Sequence, residues 1–433
     1  MRIVSVQEYR YVPIATRASS DPPTVTRSEV VALERLQRAR GTTWFELGHR
    51  SIRATNWVGT VAMGRRLLEV LPKIDLPGSE LVQQNLHLML AASGLLPVDE
   101  ADVAPLTRSG QPLLPIYLAV YVRRLAREWQ RGALRRYALR EESSTFLRGK
   151  LLVGRQIREN AMHPERFLCT RDEFSEDNAA SRILKGALKI CREQEFATAV
   201  ARSAAALLAE FDQVGDCVPS DLADATPLER QHQRYRPLLD MARLILSEES
   251  PGARAGGERA FALMFDMNVV FESFVAAELA RALAMRFPTL RVVPQASDRW
   301  LLKRLDGAKT RGAFRLRPDI AVWSGRAALC VLDTKWKRLD PSKRHHGVRE
   351  ADVYQAYAYA NEYVVPRTIL LYPRTSETSE RIAEYELDRM PKAAEDRPPA
   401  LCIRTLNVAR RLCDRTEREQ LRSELRTLID GTS

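Results

Sequence analysis

The sequence predicts a multidomain α+β protein whose last domain is an α/β fold with a central mixed sheet flanked by helices. Three observations predict it. The 433 residues exceed one ordinary hydrophobic core, so two or three domains are expected. The stretch SEESPGARAGGER (247–259) has three glycines, one proline and no large apolar residue, which is typical of a linker. Beyond it, a helix, a run of strands, a helix and another strand are typical of an α/β sandwich.

The expected order along the chain is a mixed β/α domain (1–110), a mainly helical middle region (111–250) and the C-terminal domain (258–433). In the first domain, residues 57–63 and 67–71 form a predicted hairpin around Gly64-Arg65. In the last, the pattern predicts a long helix, several strands, a second helix, another strand and a terminal helix. Their expected ranges are about 260–286, then 290–296, 313–317, 319–323 and 327–334, then 349–363, then 367–373, then about 411–429.

The charge distribution favours a polyanionic partner. The formal net charge is +12, and residues 301–349 carry 13 Lys and Arg against four Asp and Glu. A phosphate backbone binds such a surface by releasing counterions. No apolar run is long enough to span a bilayer, and the first residues lack the pattern of a signal peptide. The six cysteines are scattered and form no C-x-x-C pair, so a cytoplasmic protein is expected.

One apolar strand ends in an unusual pair of charges. The predicted strand 327–334 places Asp333 and Lys335 on one face, because side chains alternate along a strand. A hairpin centred on Arg326 would set Asp319 opposite Asp333, close enough for both carboxylates to reach one ion. Two such carboxylates favour a hard divalent cation such as Mg²⁺. A core strand that simply emerges into water is the alternative.

Two further features point to the same chemistry. Glu272 lies among apolar neighbours in MNVVFESFV, where a carboxylate needs a cation or a hydrogen-bond partner; a local ion pair is the alternative. In DVYQAYAYA, Gln355 and Tyr359 lie four residues apart on one helical stripe, although a tyrosine-rich core face would show the same spacing. No G-x-x-x-x-G-K-[ST] occurs, so the chain itself has no P-loop.

Together these residues resemble the PD-(D/E)xK nuclease superfamily, in the branch that shares a Gln/Tyr motif with RecB-type nucleases. The chain looks most like the McrC family, the nuclease subunits of McrBC-type modification-dependent restriction systems. Six stretches carry this resemblance in family order from about residue 56 to 360: NWVGTVAMGRRLLEVLPKI, FLRGKLLVGRQIREN, DEFSEDNAASRILKGAL, MNVVFESFV, RPDI…VLDTKWK and DVYQAYAYA. The first 50 residues and those beyond Tyr372 match no such stretch.

The resemblance implies a metal-dependent endodeoxyribonuclease site. Asp319 and Asp333 would ligate Mg²⁺, for which Mn²⁺ can substitute, with the Thr334 carbonyl and Glu272 completing the metal site. Lys335 would assist the attacking water. Site support or DNA contact is implied for Gln355 and Tyr359 and expected for two further cations, Lys337 and Arg338.

The resemblance also implies partners. The N-terminal domain would dock on a hexameric AAA+ GTPase (McrB-like) and stimulate its hydrolysis, with GTP bound by the partner and not by this chain. The substrate would be double-stranded DNA that carries a base modification, and no membrane is involved. Two other functions stay open: a non-cleaving regulatory subunit that activates the motor and grips DNA, and a RecB-like repair nuclease that works with a helicase.

Overall fold

The computed structural model forms two compact units, each described here by itself. It describes residues 2–17, 19–63, 66–101, 110–224, 227–255, 258–306, 309–387 and 399–430. The middle unit comprises Pro115–Arg254 and Glu258–Phe261. The larger unit contains Arg2–Leu114 and Ala262–Ser433, so it unites the predicted N-terminal segment with most of the predicted C-terminal domain. Within the described residues, no helix is long and apolar enough to cross a membrane.

The N-terminal part of the larger unit is a mixed β/α structure. Its elements are β1 (Arg2–Gln7), β2 (Tyr11–Ala15), β3 (Val25–Thr26), α1 (Arg27–Arg40), β4 (Phe45–Leu47), β5 (Ser51–Ala54), β6 (Trp57–Met63), β7 (Arg66–Leu71) and α2 (Ser79–Ala92). Strands β6 and β7 pair antiparallel, which confirms the predicted hairpin, and β1 pairs with β7 in parallel. Gly64 and Arg65 of its turn lie outside the described residues.

The middle region contains helices, as expected, and also a sheet that the sequence pattern missed. Its elements begin with α3 (Leu113–Gln130), β8 (Arg136–Ser144), β9 (Lys150–Leu151), α4 (Val153–Glu159) and β10 (Phe167–Ser175). Helices α5 (Ala179–Arg192), α6 (Thr198–Leu208), α7 (Pro219–Leu222) and α8 (Arg236–Glu248) follow. Strand β10 pairs antiparallel with both β8 and β9, and its charged residues hid its strand pattern.

The division between the two units falls at residues 254–262, near the boundary expected from the stretch 247–259, but the described part of that stretch is mostly strand and not an irregular linker. Residues 256 and 257 lie outside the described residues. The start of the helix expected at 260–286 is wrong. The structure has strands β11 (Glu249–Ala255) and β12 (Glu258–Asp266), and helix α9 begins only at Met267 and ends at Ala284. A short apolar run such as FALMF fits a buried strand as well as a helix. Tertiary contact decides: β12 neighbours β6, and a Cβ on Gly59 would lie 2.1 Å from the Leu263 carbonyl oxygen.

The C-terminal part has the predicted mixed sheet. Its remaining elements are β13 (Leu290–Pro294), β14 (Trp300–Asp306), β15 (Lys309–Arg315), β16 (Ile320–Ser324), β17 (Ala327–Thr334), α10 (Glu350–Tyr363), β18 (Arg367–Pro373), β19 (Arg381–Glu386), β20 (Ala400–Leu406) and α11 (Arg415–Asp430). The six-stranded sheet has the order β13-β16-β17-β18-β20-β19. Strands β17, β18 and β20 are parallel neighbours, and the other pairs are antiparallel. The two-stranded sheet β14–β15 is separate.

A buried ion network ties α9 to the predicted C-terminal helix α11. Glu278 on α9 is fully buried, and it accepts hydrogen bonds from Arg418 and Arg422 of α11. Burial would raise the pKa of Glu278, but the two guanidinium groups outweigh it and lower the pKa. A buried charge with such partners is costly to leave unpaired, so this network holds the terminal helix in place.

We expect His87 to make the larger unit sensitive to mild acid. Its ring is fully buried in α2, neither ring nitrogen has a hydrogen-bond partner among the described residues, and burial lowers its pKa from 6.5 to about 3. The unfolded chain therefore binds the extra proton, and stability falls as the pH drops below 6.5 towards 3. Relative to His87→Leu, the wild type should lose about 2 kcal/mol between pH 7.5 and pH 5 in urea unfolding.

The exposed His49 supplies the control, since His49→Leu also removes an imidazole. An equal pH response of His87→Leu and wild type would show that the buried ring does not couple folding to protonation.

Candidate functional site

The site is built where β16 and β17 pair. Ile320 lies opposite Leu332, and this register places the next residues, Asp319 and Asp333, beside each other, as a hairpin centred on Arg326 predicts. A bulge between Val322 and Trp323 shifts the pairs nearer the turn by one residue. The outer ends of the strands thus keep the register that brings the two carboxylates together.

Thr334 holds the Asp319 carboxylate. Its backbone N–H donates to Asp319 Oδ2 at 2.6 Å, and its hydroxyl donates to the same oxygen at 2.7 Å. The family resemblance implied a role only for the Thr334 carbonyl. Two charge-assisted bonds of this kind fix the orientation of a carboxylate more firmly than one does.

Asp333 is buried and paired with Lys335. It is 1% exposed, and its Oδ2 lies 2.5 Å from Lys335 Nζ. Apart from this ion pair, the buried Oδ2 has no hydrogen-bond partner among the described residues. Burial, and then the nearby Asp319, raise the pKa of Asp333 to about 6. Burial favours a neutral lysine, but the Asp333 carboxylate prevails and raises the pKa of Lys335, so this side chain stays charged.

Glu272 reaches the same region from α9. Burial, and then repulsion from Asp319, raise its pKa to about 7, and the Asp333 charge acts in the same direction. Its Oε1 accepts a hydrogen bond from Gln295 Nε2 at 2.9 Å. Asp319 thus raises the pKa of both Glu272 and Asp333, and a cation would stabilise such a cluster of carboxyl groups.

Gln295 is a site residue that the sequence reasoning missed. It lies directly after β13 in the left-handed region (φ +47°), and its backbone N–H donates to the Asp319 carbonyl at 2.8 Å. Its side chain and backbone therefore connect Glu272 on the helix to Asp319 on the sheet. The one sequence signal is a polar residue after an apolar strand, which is too common to identify a site.

Gln355 and Tyr359 connect Lys335 to the segment before Asp319. Lys335 Nζ donates to Gln355 Oε1 at 3.3 Å, and Gln355 Nε2 donates to the Tyr359 hydroxyl at 2.7 Å. That hydroxyl donates to the Arg317 carbonyl at 2.9 Å, and burial raises the pKa of Tyr359. The helical stripe is thus both a core face and a support for the site.

The two other cations named from the sequence are engaged within the larger unit. Lys337 Nζ lies 3.4 Å from Asp352 Oδ2, and Asp352 also lies 3.8 Å from Lys335 Nζ. Arg338 donates to the Lys73 carbonyl at 2.9 Å and to Asp75 at 2.5 Å. The structure therefore joins Lys337 to the site and places Arg338 against the N-terminal segment.

The donor set suits a hard cation, although a complete cage is not present. Within the described part of the chain, no three His, Cys, Asp or Glu side chains are arranged to hold a metal ion. Asp319 and Asp333 supply oxygen ligands, which Mg²⁺ prefers, and Mg²⁺ commonly takes only one or two carboxylates. The buried Asp333 Oδ2, which has no partner other than Lys335 Nζ among the described residues, is the oxygen that fits such an ion.

A comparison with protein families identifies one match. The family model described as "McrBC 5-methylcytosine restriction system component" matches residues 52–373. A comparison with curated proteins returned no match.

Two solved structures share the fold. One is a half-complex from the tetradecameric assembly of Thermococcus gammatolerans McrB AAA+ hexamers with bound McrC; its matched chain has 18% identity and a TM-score of 0.69, with coverage of 99% of this chain and 100% of that one. The other is the Thermococcus gammatolerans McrBC complex, with 22% identity, a TM-score of 0.51 and coverage of 65% and 88%.

We expect Tyr359→Phe to destabilise the larger unit by about 1–2 kcal/mol, because it removes the hydroxyl that bonds Gln355 and the Arg317 carbonyl. Urea unfolding followed by circular dichroism measures the change. Tyr357→Phe, on the exposed face of the same helix, is the matched control. Equal stabilities of the two variants would mean that the hydroxyl bonds do not hold the helix to the site.

Proposed function

The chain belongs to the McrBC 5-methylcytosine restriction system component family, and we propose that it is the Mg²⁺-dependent DNA endonuclease subunit of such a system. The observation that carries the proposal is the position of Asp319 and Asp333, each one residue beyond the Ile320–Leu332 pair, with Lys335 bonded to the second carboxylate. This set at the ends of neighbouring strands supplies what metal-assisted hydrolysis of a phosphodiester uses, namely oxygen ligands for a cation and a positioned ammonium group. We assign the C-terminal part a PD-(D/E)xK nuclease fold.

In this proposal, Asp319, Asp333 and the Thr334 carbonyl hold the cation, and Glu272 extends the site. When bound, Mg²⁺ or Mn²⁺ supplies Lewis-acid polarisation of the phosphate and a more acidic water. Thr334 keeps Asp319 oriented through two hydrogen bonds. Gln295 orients Glu272 in the same way from the other side.

Lys335 has two tasks in this proposal. Its ammonium group is charged and lies between Asp333 and Gln355, so it can orient the attacking water and balance charge on the phosphate. Gln355 and Tyr359 restrict the direction of this side chain, since they link it to the Arg317 carbonyl. Preorganisation of this kind avoids rearrangement during the reaction.

We further propose that the chain works with a hexameric AAA+ GTPase, which binds the GTP. The structural neighbour described above is an assembly of McrB AAA+ hexamers with bound McrC, and this sequence has no P-loop of its own. The N-terminal part is the docking region in this proposal. Trp336, one residue beyond Lys335, donates to the buried Glu8 at 2.7 Å, so the docking region contacts the site directly.

We expect Asp333→Ala to abolish cleavage of methylated plasmid by the complex with its AAA+ partner in Mg²⁺ and GTP. The variant loses one of two aspartate ligands and the partner of Lys335. Gel analysis of plasmid nicking and linearisation gives the readout, and pull-down of the AAA+ partner verifies that the complex still forms. Glu377→Ala, which removes an exposed carboxylate from the same unit, is the control and should cut normally.

Cleavage that persists in Asp333→Ala would contradict the metal site. If the wild type stimulates GTP hydrolysis by the partner but neither the wild type nor Asp333→Ala cuts methylated or unmethylated DNA, a non-cleaving regulator becomes the better assignment. Recovery of a helicase without a GTP-binding motor would favour a RecB-like repair nuclease.

We expect Gln295→Met to lower cleavage about 10–100-fold, because it removes the hydrogen bond that orients Glu272. Methionine has a similar shape, and the backbone bond to Asp319 remains. The Mg²⁺ concentration for half-maximal cleavage should rise, which simple loss of folded protein would not cause. Gln420→Met, an exposed position on α11, is the matched control. An unchanged Mg²⁺ requirement would remove Gln295 from the site.

A further inference from the structure

An additional hairpin leads directly into the candidate active site. Strands β14 and β15 pair antiparallel, from Trp300 with Arg315 to Asp306 with Lys309. In sequence they lie between β13 and β16, which are neighbours in the six-stranded sheet. They are not part of that sheet and form a separate two-stranded sheet. The Leu316 N–H donates to the Arg299 carbonyl at 3.0 Å and closes the base of the hairpin.

The hairpin is strongly basic. Residues 299–317 contain one acidic residue, Asp306, and seven cations: Arg299, Lys303, Arg304, Lys309, Arg311, Arg315 and Arg317. Lys303 and Arg311 are exposed on opposite strands. A ribbon with seven cations and one acidic residue is electrostatically suited to a phosphate backbone, and a two-stranded ribbon is narrow enough to enter a DNA groove.

A tryptophan connects the two strands of the hairpin. The Trp300 ring lies across Gly312, where an added Cβ would come within 2.5 Å of the indole. The Arg315 guanidinium stacks over the same ring, 5.0 Å from its centroid. Glycine is therefore needed at 312, and the tryptophan holds the two strands in register.

The other notable residue is Phe314, which is 71% exposed and adopts a left-handed backbone conformation (φ +55°). A bulky residue in that region is strained, and such strain is concentrated at functional positions. Leu301, the residue across from it, and Leu302 are also exposed. Exposure of these apolar side chains to water is unfavourable. Apolar side chains can instead insert between neighbouring DNA bases and unstack them when basic groups hold the backbone.

An arginine-lined groove continues from the base of the hairpin. It has a volume of about 630 Å³, and four of its lining residues are arginines: Arg291, Arg299, Arg315 and Arg326. The one acidic residue that lines it, Asp298, lies 3.2 Å from the Tyr363 hydroxyl and 3.7 Å from Arg299. The positive surface thus extends along the edge of the sheet that carries the site.

We propose that the hairpin β14–β15 and this groove form the surface that holds duplex DNA at the active site, with Phe314 inserted against the bases. This inference rests on the proposed function. Phe314 precedes Asp319 by five residues, so the two Cα atoms lie at most about 18 Å apart. A duplex gripped by the hairpin therefore has a phosphate within reach of the two aspartates. The surplus of cations favours DNA over a protein partner.

The charge test uses the full-length chain and a fluorescently labelled duplex in EDTA, so that cleavage plays no part. Lys303→Gln/Arg311→Gln should weaken binding about tenfold at moderate salt and reduce the slope of log affinity against log salt by roughly 1–2. Arg411→Gln/Arg415→Gln removes the same charge from an exposed segment at α11 and should behave like the wild type.

The insertion test uses Phe314→Asn and a duplex that contains 2-aminopurine, whose fluorescence rises when it is unstacked. Asparagine tolerates the left-handed region better than phenylalanine does, so the variant is expected to keep the hairpin. Wild type should raise the fluorescence and Phe314→Asn should not. Met285→Asn, another exposed apolar position, should match the wild type.

Unchanged affinity and salt slope in the charge variant would overturn the proposal, as would loss of AAA+ partner binding in place of DNA binding. An unchanged 2-aminopurine signal in Phe314→Asn would overturn the insertion. Because binding is measured without Mg²⁺, these outcomes do not depend on whether Asp333 binds a metal ion. Loss of binding in the charge variant together with cleavage by Asp333→Ala would uphold the DNA surface and reject the metal site.

Discussion

The site depends on the pairing of β16 with β17 and on the two hydrogen bonds by which Thr334 holds Asp319. Strand pairing alone would leave two carboxylates side by side, which is unfavourable in a buried setting. The Thr334 peptide and hydroxyl stabilise one of them, and Lys335 stabilises the other. The remaining electrostatic cost appears in the raised pKa values of Glu272 and Asp333. Carboxyl groups with strongly raised pKa values are concentrated at functional sites in proteins.

The elements around Asp319 and Asp333 supply or orient the other side chains of the site. Helix α9 presents Glu272, and Gln295 connects that side chain to the peptide of Asp319. Helix α10 limits the direction of Lys335 through Gln355. The buried Trp336 contacts Phe271 on α9 and bonds Glu8 of the N-terminal segment. These contacts join chain segments that are far apart in sequence, so the N-terminal segment and the residues next to Lys335 pack in one unit.

Charge is divided between two surfaces of the same unit. The acidic side chains gather at the ends of β16 and β17, where burial strengthens their interactions. The cations gather on the hairpin and the groove beside them, where they are exposed. This division suits the proposed function, in which exposed cations would attract the DNA backbone and the buried acids would hold a cation against a single phosphate. Neither surface could replace the other, because an acidic surface alone repels DNA.

The sequence by itself determined the features that depend on local periodicity. Alternation along β17 put Asp333 and Lys335 on one face, and helical spacing aligned Gln355 with Tyr359. Only the tertiary structure decided what depends on distant segments. The run FALMF became a strand because Gly59 admits the backbone of Leu263, and Gln295 and Glu8 joined the site through contacts that no spacing encodes. The hairpin β14–β15 was missed in part because none of its side chains with described burial is buried, and a buried face is what makes a strand recognisable in sequence.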